Sequence, residues 1–125
     1  MYGFLMVAIG GAIGASGRHL FGITMLRLFG SGFPWGTLSV NIVGSFLMGV
    51  LVELMALKLN ISNEFRLFLA TGILGGFTTF SAFSLEVALM IERKQFLIAG
   101  AYAGASIIVS VAALFAGLAL VRALL

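Results

Sequence analysis

The chain is written almost entirely in apolar residues, and its polar positions gather in a few short clusters. A bilayer span needs about 20 consecutive, mostly apolar residues. Four stretches meet that need: Gly3 to Phe29, Gly36 to Leu57, Phe65 to Ile91 and Phe96 to Val121. The clusters between them, Gly30 to Trp35, Lys58 to Glu64 and Glu92 to Gln95, hold turn-forming residues or charges. Such short connections make neighbouring helices antiparallel. The pattern predicts an all-α membrane protein, a single domain over residues 1–125 with four transmembrane helices. One segment breaks the pattern from within. Between Ala70 and Glu86 the third stretch carries a polar interruption, which predicts a helix broken in mid-membrane.

Composition strengthens the membrane reading. Hydrophobic residues make up 62% of the 125 positions and charged residues 9%. A soluble domain carries about 25% charged residues, because it must cover its surface with polar groups. The net charge of +3 does not point to nucleic acid, since the seven Lys and Arg are scattered and form no basic stripe. There is no cysteine, hence no disulfide or thiolate metal site, and a single histidine, His19, to which no role is assigned. Met1 to Gly17 lacks a basic leader region, and the apolar run continues past Arg18, so this stretch is read as a retained first helix.

The placement of the charges changes the picture further. With four spans, both termini lie on one side, flanked by Lys58, Arg66 and Arg122; the other side has Arg27, Arg93 and Lys94. Orientation follows Lys/Arg asymmetry between the two sides, and three against three leaves none. The expectation is insertion in both orientations, and an antiparallel homodimer with a twofold axis in the membrane plane. Glycines at small-xxx-small spacing (Gly10 and Gly14, Gly72 and Gly76, Gly100 and Gly104) are read as sites of close helix approach. Trp35, after Pro34, is read as an interfacial anchor.

Four features carry candidate chemistry. Gly75 to Ser84 packs four hydroxyls and three phenylalanines into ten residues that open with two adjacent glycines followed by two threonines. That is poor helix material, and irregular backbone at membrane depth must be lined by protein or a polar cavity. Freed carbonyls there suit a hard cation such as Na⁺. Asn41, with Ser45 one turn on, is a costly amide in lipid. It serves either as a bond between helices or as a donor to a permeating anion. Tyr102, Ser106 and Ser110 form one hydroxyl stripe on the fourth helix, read as pore lining. Arg18, deep in the first helix, is a functional candidate by default: it snorkels, pairs with Glu86, or sets positive potential near an anion path. Glu53 and Glu86, near the ends of their spans, read as vestibule or interface groups. Hydroxyl and amide donors, one arginine and the positive edges of Phe80 and Phe83 favour an anion as the permeating species.

The ordered motifs resemble those of the Fluc/CrcB family of fluoride channels over nearly the whole chain. They are Gly10-Gly11-Ala12-Ile13-Gly14-Ala15 with Arg18; Gly36-Thr37-Leu38, Asn41 and Gly44-Ser45-Phe46; and Thr71-Gly72, Gly75-Gly76-Phe77-Thr78-Thr79-Phe80-Ser81, Phe83-Ser84 and Glu86. The resemblance implies passive fluoride export across the inner (plasma) membrane by an antiparallel dual-topology dimer with two pores. It implies a structural Na⁺ at the dimer axis, held by the backbone carbonyls of Gly75 and Thr78. It places the fluoride pore on Asn41, Phe80, Phe83, Ser81, Tyr102, Ser106 and Ser110, with Arg18 and Glu86 as electrostatic or vestibule groups. Two positions depart from the family pattern: Ala82, where Thr is usual, and His19, where an aromatic residue is usual. No nucleophile–base pair or phosphate loop is present, so an enzyme is not expected. The alternative is a small multidrug-type proton-coupled exporter. That design needs a membrane carboxylate in the first helix, where this chain has Arg18.

Overall fold

The computed structural model describes residues 2–58 and 60–125. Met1, at the head of the expected first helix, and Leu59, in the expected Lys58–Glu64 loop, lie outside them. The chain forms α1 (Tyr2–Phe29), α2 (Trp35–Leu57), α3 (Asn63–Arg66), a π-helical stretch (Leu67–Leu74), α4 (Gly75–Phe77), α5 (Phe80–Glu92) and α6 (Phe96–Leu124). α3 through α5 run in succession as one membrane-crossing unit, Asn63–Glu92. With α1, α2 and α6 this makes four segments long and apolar enough to span a bilayer. The protein is a multi-pass, all-helical membrane protein.

Local chemistry sets the helix ends. α1 stops at Gly30, whose φ of 78° is the left-handed conformation glycine adopts freely; its N–H closes on the Leu26 carbonyl at 2.9 Å. The third crossing begins at Asn63, two residues before the expected Phe65, because the Ser62 hydroxyl caps it by accepting the Phe65 N–H at 3.2 Å. The last helix continues three residues past Val121 to Leu124.

Little of this surface is buried within one chain. Only 11–28% of each crossing's most apolar window is buried, and large side chains such as Phe4, Leu97 and Phe115 stand exposed. In lipid that exposure has no hydrophobic penalty, so backbone fit decides which helices touch. α1 lies against the π-helical stretch and α4 through two of the predicted glycine pairs. A Cβ on Gly10 would come within 2.9 Å of Gly72 Cα, and one on Gly14 would collide with the Ile73 carbonyl oxygen. α2 lies against α6 at a pair outside the expected glycine spacing: Gly49 faces the Leu114 carbonyl, and Gly117 faces that of Phe46. Gly100 and Gly104, expected at a close approach, meet nothing within 4 Å among the described residues.

The small buried core sits toward one end of the bundle. Leu38, Met90, Ala99 and a fully buried Tyr102 form it, with Phe33, Ile42, Phe83 and Val87 packed around them. At the opposite end, Glu53 is 7% exposed and accepts a charge-assisted bond from Arg122 Nε at 2.7 Å. The expectation that Glu53 lines a vestibule or interface is corrected. It is enclosed between α2 and α6, where a carboxylate requires a charged partner.

Candidate functional site

The site is built around two residues that are not helical. Thr78 (φ −85°, ψ 159°) and Thr79 (φ −152°, ψ 123°) are extended, between the end of α4 and the start of α5. β-Branching makes threonine comfortable in extended backbone and less so in a helix. The neighbouring glycines, expected to be part of the irregularity, stay helical: Gly75 has φ −63° and ψ −39°. Gly76 serves packing instead, since a Cβ there would come within 2.8 Å of the Gly11 carbonyl oxygen.

Non-helical backbone in an apolar surrounding leaves donors and acceptors to be satisfied, and unsatisfied ones are expensive. Side chains from other helices meet much of that demand. Asn41, on α2, uses both ends of its amide on Thr79. Its Oδ1 accepts the Thr79 N–H at 2.8 Å, and its Nδ2 donates to the Thr79 carbonyl at 3.0 Å. In an unbroken helix the Thr79 N–H would bond the Gly75 carbonyl. Arg18 Nε donates to the Gly76 carbonyl at 3.1 Å, where a continuous helix would offer the Phe80 N–H. The Thr79 hydroxyl caps α5 by accepting the Ala82 N–H at 3.2 Å, so that N–H is not turned to the Thr78 carbonyl. The Thr78 hydroxyl donates back to Leu74 O at 3.0 Å. Two backbone carbonyls, Gly75 and Thr78, are thus released from their usual helical donors.

Beside this interruption lies a cavity of about 360 Å³. Asn41 and Ser45 from α2, Phe80 and Phe83 from α5, and Ser106 and Ser110 from α6 line it. The two phenyl rings stand 5.5 Å apart at 48°. Among the described residues the Ser106 and Ser110 hydroxyls are shielded from solvent and have no hydrogen-bond partner. A buried hydroxyl without a partner is unfavourable, so both are unmet donor–acceptor groups in the cavity wall.

The structure divides the expected hydroxyl stripe. Ser106 and Ser110 line the cavity, whereas Tyr102 belongs to the core. Its hydroxyl donates to Glu86 Oε1 at 2.9 Å, and its ring lies 5.3 Å from that of Phe83. Thr37 donates to the other Glu86 oxygen at 3.1 Å. Glu86 is therefore held by two hydroxyls, and Arg18 is engaged by Gly76, so these two charges are not paired with each other. Ser81 is exposed on the chain, its hydroxyl 3.2 Å from that of Thr79, and does not line the cavity. Sequence reasoning did not assign a role to Thr37 or foresee Arg122 as the partner of Glu53. Each pair is separated by 49 or more residues, so only the helix arrangement joins them.

Fold and site together define a small four-crossing membrane protein whose buried polar groups converge on an interrupted helix beside an aromatic- and hydroxyl-lined cavity. Residues 5–118 match the family described as CrcB-like protein, Camphor Resistance (CrcB), and the chain belongs to that family. It is 58% identical to the fluoride-specific ion channel FluC of Agrobacterium fabrum, over 98% of both chains. It is 56% identical to that of a Chelativorans species over the full length of both. With that of Hyphomonas neptunium it shares 58% identity over 98% of this chain and 97% of the relative.

Proposed function

We propose that this protein is a passive, fluoride-selective channel that lowers cytoplasmic fluoride. The observation that carries it is the pair of shielded, unpartnered hydroxyls of Ser106 and Ser110 in the cavity that Phe80 and Phe83 also line, in a chain so close to fluoride-specific channels. A small anion sheds its hydration shell only where other donors replace it. The serine hydroxyls, the positive phenyl edges and the second N–H of Asn41 Nδ2 form such a set. Ser81 extends it past Thr79. Tyr102 backs the ring of Phe83 and carries the hydroxyl line on to Glu86. Arg18 sets a positive potential at the break, and Glu86, held by Thr37 and Tyr102, bounds the vestibule.

The working unit in this proposal is an antiparallel dual-topology homodimer in the inner membrane. The balanced flanking charges support it. So do the two freed carbonyls: Gly75 is exposed on the single chain, where a second, inverted copy would bring its own pair alongside. Four backbone oxygens fit a hard cation, which takes oxygen ligands. Gly75 and Thr78 would hold a structural Na⁺ there, whose charge ties the two interruptions together.

Protein in liposomes should release fluoride down its gradient with no proton gradient, and chloride far more slowly. Phe80→Ile and Phe83→Ile should each reduce fluoride flux by at least tenfold without dissociating the dimer. Flux that needs a pH gradient and carries organic cations would instead establish a proton-coupled exporter. Full flux in both phenylalanine variants would remove the pore assignment.

A further inference from the structure

The cavity beside the interruption changes character along its length. α2 and α6 both start from connections at the same end of the bundle, so they run in the same direction and residue order on each is also depth in the membrane. Asn41 and Ser45 of α2 and Ser106 and Ser110 of α6 bring hydrogen-bonding groups into the wall. Past Ser45 and Ser110, the lining from these two helices is Met48, Val111 and Leu114. The helix backbones meet at this depth, since a Cβ on Gly49 would collide with the Leu114 carbonyl oxygen. Met48 and Leu114 therefore stand where the cavity gives way to backbone contact. No hydrogen-bonding side chain follows on α6 from Val111 to Val121, about 16 Å of helix. On α2 the next one after Ser45 is Glu53, which already accepts from Arg122.

We infer that the passage from Ser110 past Met48 and Leu114 limits the rate at which fluoride crosses, so that a hydrogen-bond donor placed at either position speeds it. This rests on the proposed function. An ion moves through a protein by way of sites that replace its hydration shell, and an apolar narrowing between such sites is a barrier. Ser110 is the last hydroxyl that α6 offers on the way to the side of the termini. Beyond it the thioether of Met48 and the isobutyl group of Leu114 have no hydrogen to give an anion. A small anion loses most there, because it binds its water most tightly. One neutral hydrogen bond gained at the top of that barrier raises the rate about two- to tenfold.

The test is fluoride efflux from liposomes, on full-length protein with its dimer checked by size exclusion in detergent. Leu114→Ser extends the hydroxyl line of Ser106 and Ser110 by one turn, and Leu114→Ala makes nearly the same truncation without a donor. Met48→Gln keeps the length of the side chain and adds an amide N–H, with Met48→Leu as its apolar control; this second pair serves if shortening Leu114 disturbs folding. The inference expects the serine and glutamine variants to release fluoride about two- to tenfold faster than wild type, and the alanine and leucine variants to stay within about twofold of it. Unchanged or slower flux in the folded serine and glutamine variants overturns the inference and leaves a fluoride channel in place. An alanine variant as fast as the serine variant also overturns it, because width and not a missing donor then sets the rate. No fluoride flux from wild type overturns the channel and the inference together.

Discussion

Replacing Asn41 by Ala tests the interruption directly. The amide makes two bonds to one residue, accepting the Thr79 N–H at 2.8 Å and donating to the Thr79 carbonyl at 3.0 Å. Ala removes both and leaves two backbone groups without partners in the protein interior. Each orphaned group costs about 1–3 kcal/mol. The neighbouring cavity can admit water to one of them, so the sum falls at about 2–4 kcal/mol rather than at the upper limit. Asn41→Asp separates the two bonds. Its carboxylate still accepts the Thr79 N–H but has no hydrogen to give the carbonyl, so it should be less destabilised than Ala while conducting anions worse, because it adds a negative charge. The measurements are thermal unfolding in detergent, followed by helical circular dichroism, and fluoride efflux from liposomes on the same preparations. If Asn41→Ala unfolds within about 0.5 kcal/mol of wild type, the amide is not what holds the interruption open.

Three other substitutions probe parts of the fold away from the pore. Gly117→Val places a branched side chain against the Phe46 carbonyl and should force α2 and α6 apart, costing about 2–4 kcal/mol, read as a lower unfolding midpoint. Gly100→Val meets nothing in the same chain, so its unfolding should change little, and a change in dimer dissociation on dilution would place Gly100 at a subunit contact. Arg122→Ala leaves the enclosed Glu53 carboxylate without its partner and should lower the unfolding midpoint, whereas Arg122→Ala combined with Glu53→Gln should recover most of that loss. For topology, reporter fusions at the C-terminus should reveal both orientations; a single orientation contradicts the charge-balance reasoning.

The distinction between what could and could not be read from the chain follows the range of each interaction. Spanning a bilayer is a local demand on about 20 successive residues, so the four crossings stand out within a few residues of their ends. The irregular segment was also visible, because four hydroxyls in ten residues of membrane sequence advertise unmet backbone groups. Which of its residues leave the helix was legible only in part. Two adjacent glycines and the two threonines after them are all weak helix formers, yet the glycines remain helical: helix propensity is a small preference, and at Gly76 the missing Cβ lets α1 approach. Tertiary contact outweighs it, and the extended residues are the two threonines.

The stabilising bonds around that segment were invisible for a different reason. Asn41 and Thr79 lie 38 positions apart, Thr37 and Glu86 49, Arg18 and Gly76 58, and Glu53 and Arg122 69. No local pattern links them; each arises where helices from distant parts of the chain cross. Their common effect is to divide polar labour inside a membrane. Asn41 and Arg18 stand in for backbone groups that the helix would have supplied; by taking the Thr79 N–H, Asn41 releases the Gly75 carbonyl from helical bonding, and the Thr79 hydroxyl releases that of Thr78 by taking the Ala82 N–H. An amide that reads as either helix glue or an ion contact makes two bonds of the first kind and keeps one N–H for the second. On the far side of the same residue, the Ser106 and Ser110 hydroxyls have no such employment. A membrane interior tolerates free polar groups only where they meet a ligand or water, and both of these line the cavity that Phe80 and Phe83 of α5 share.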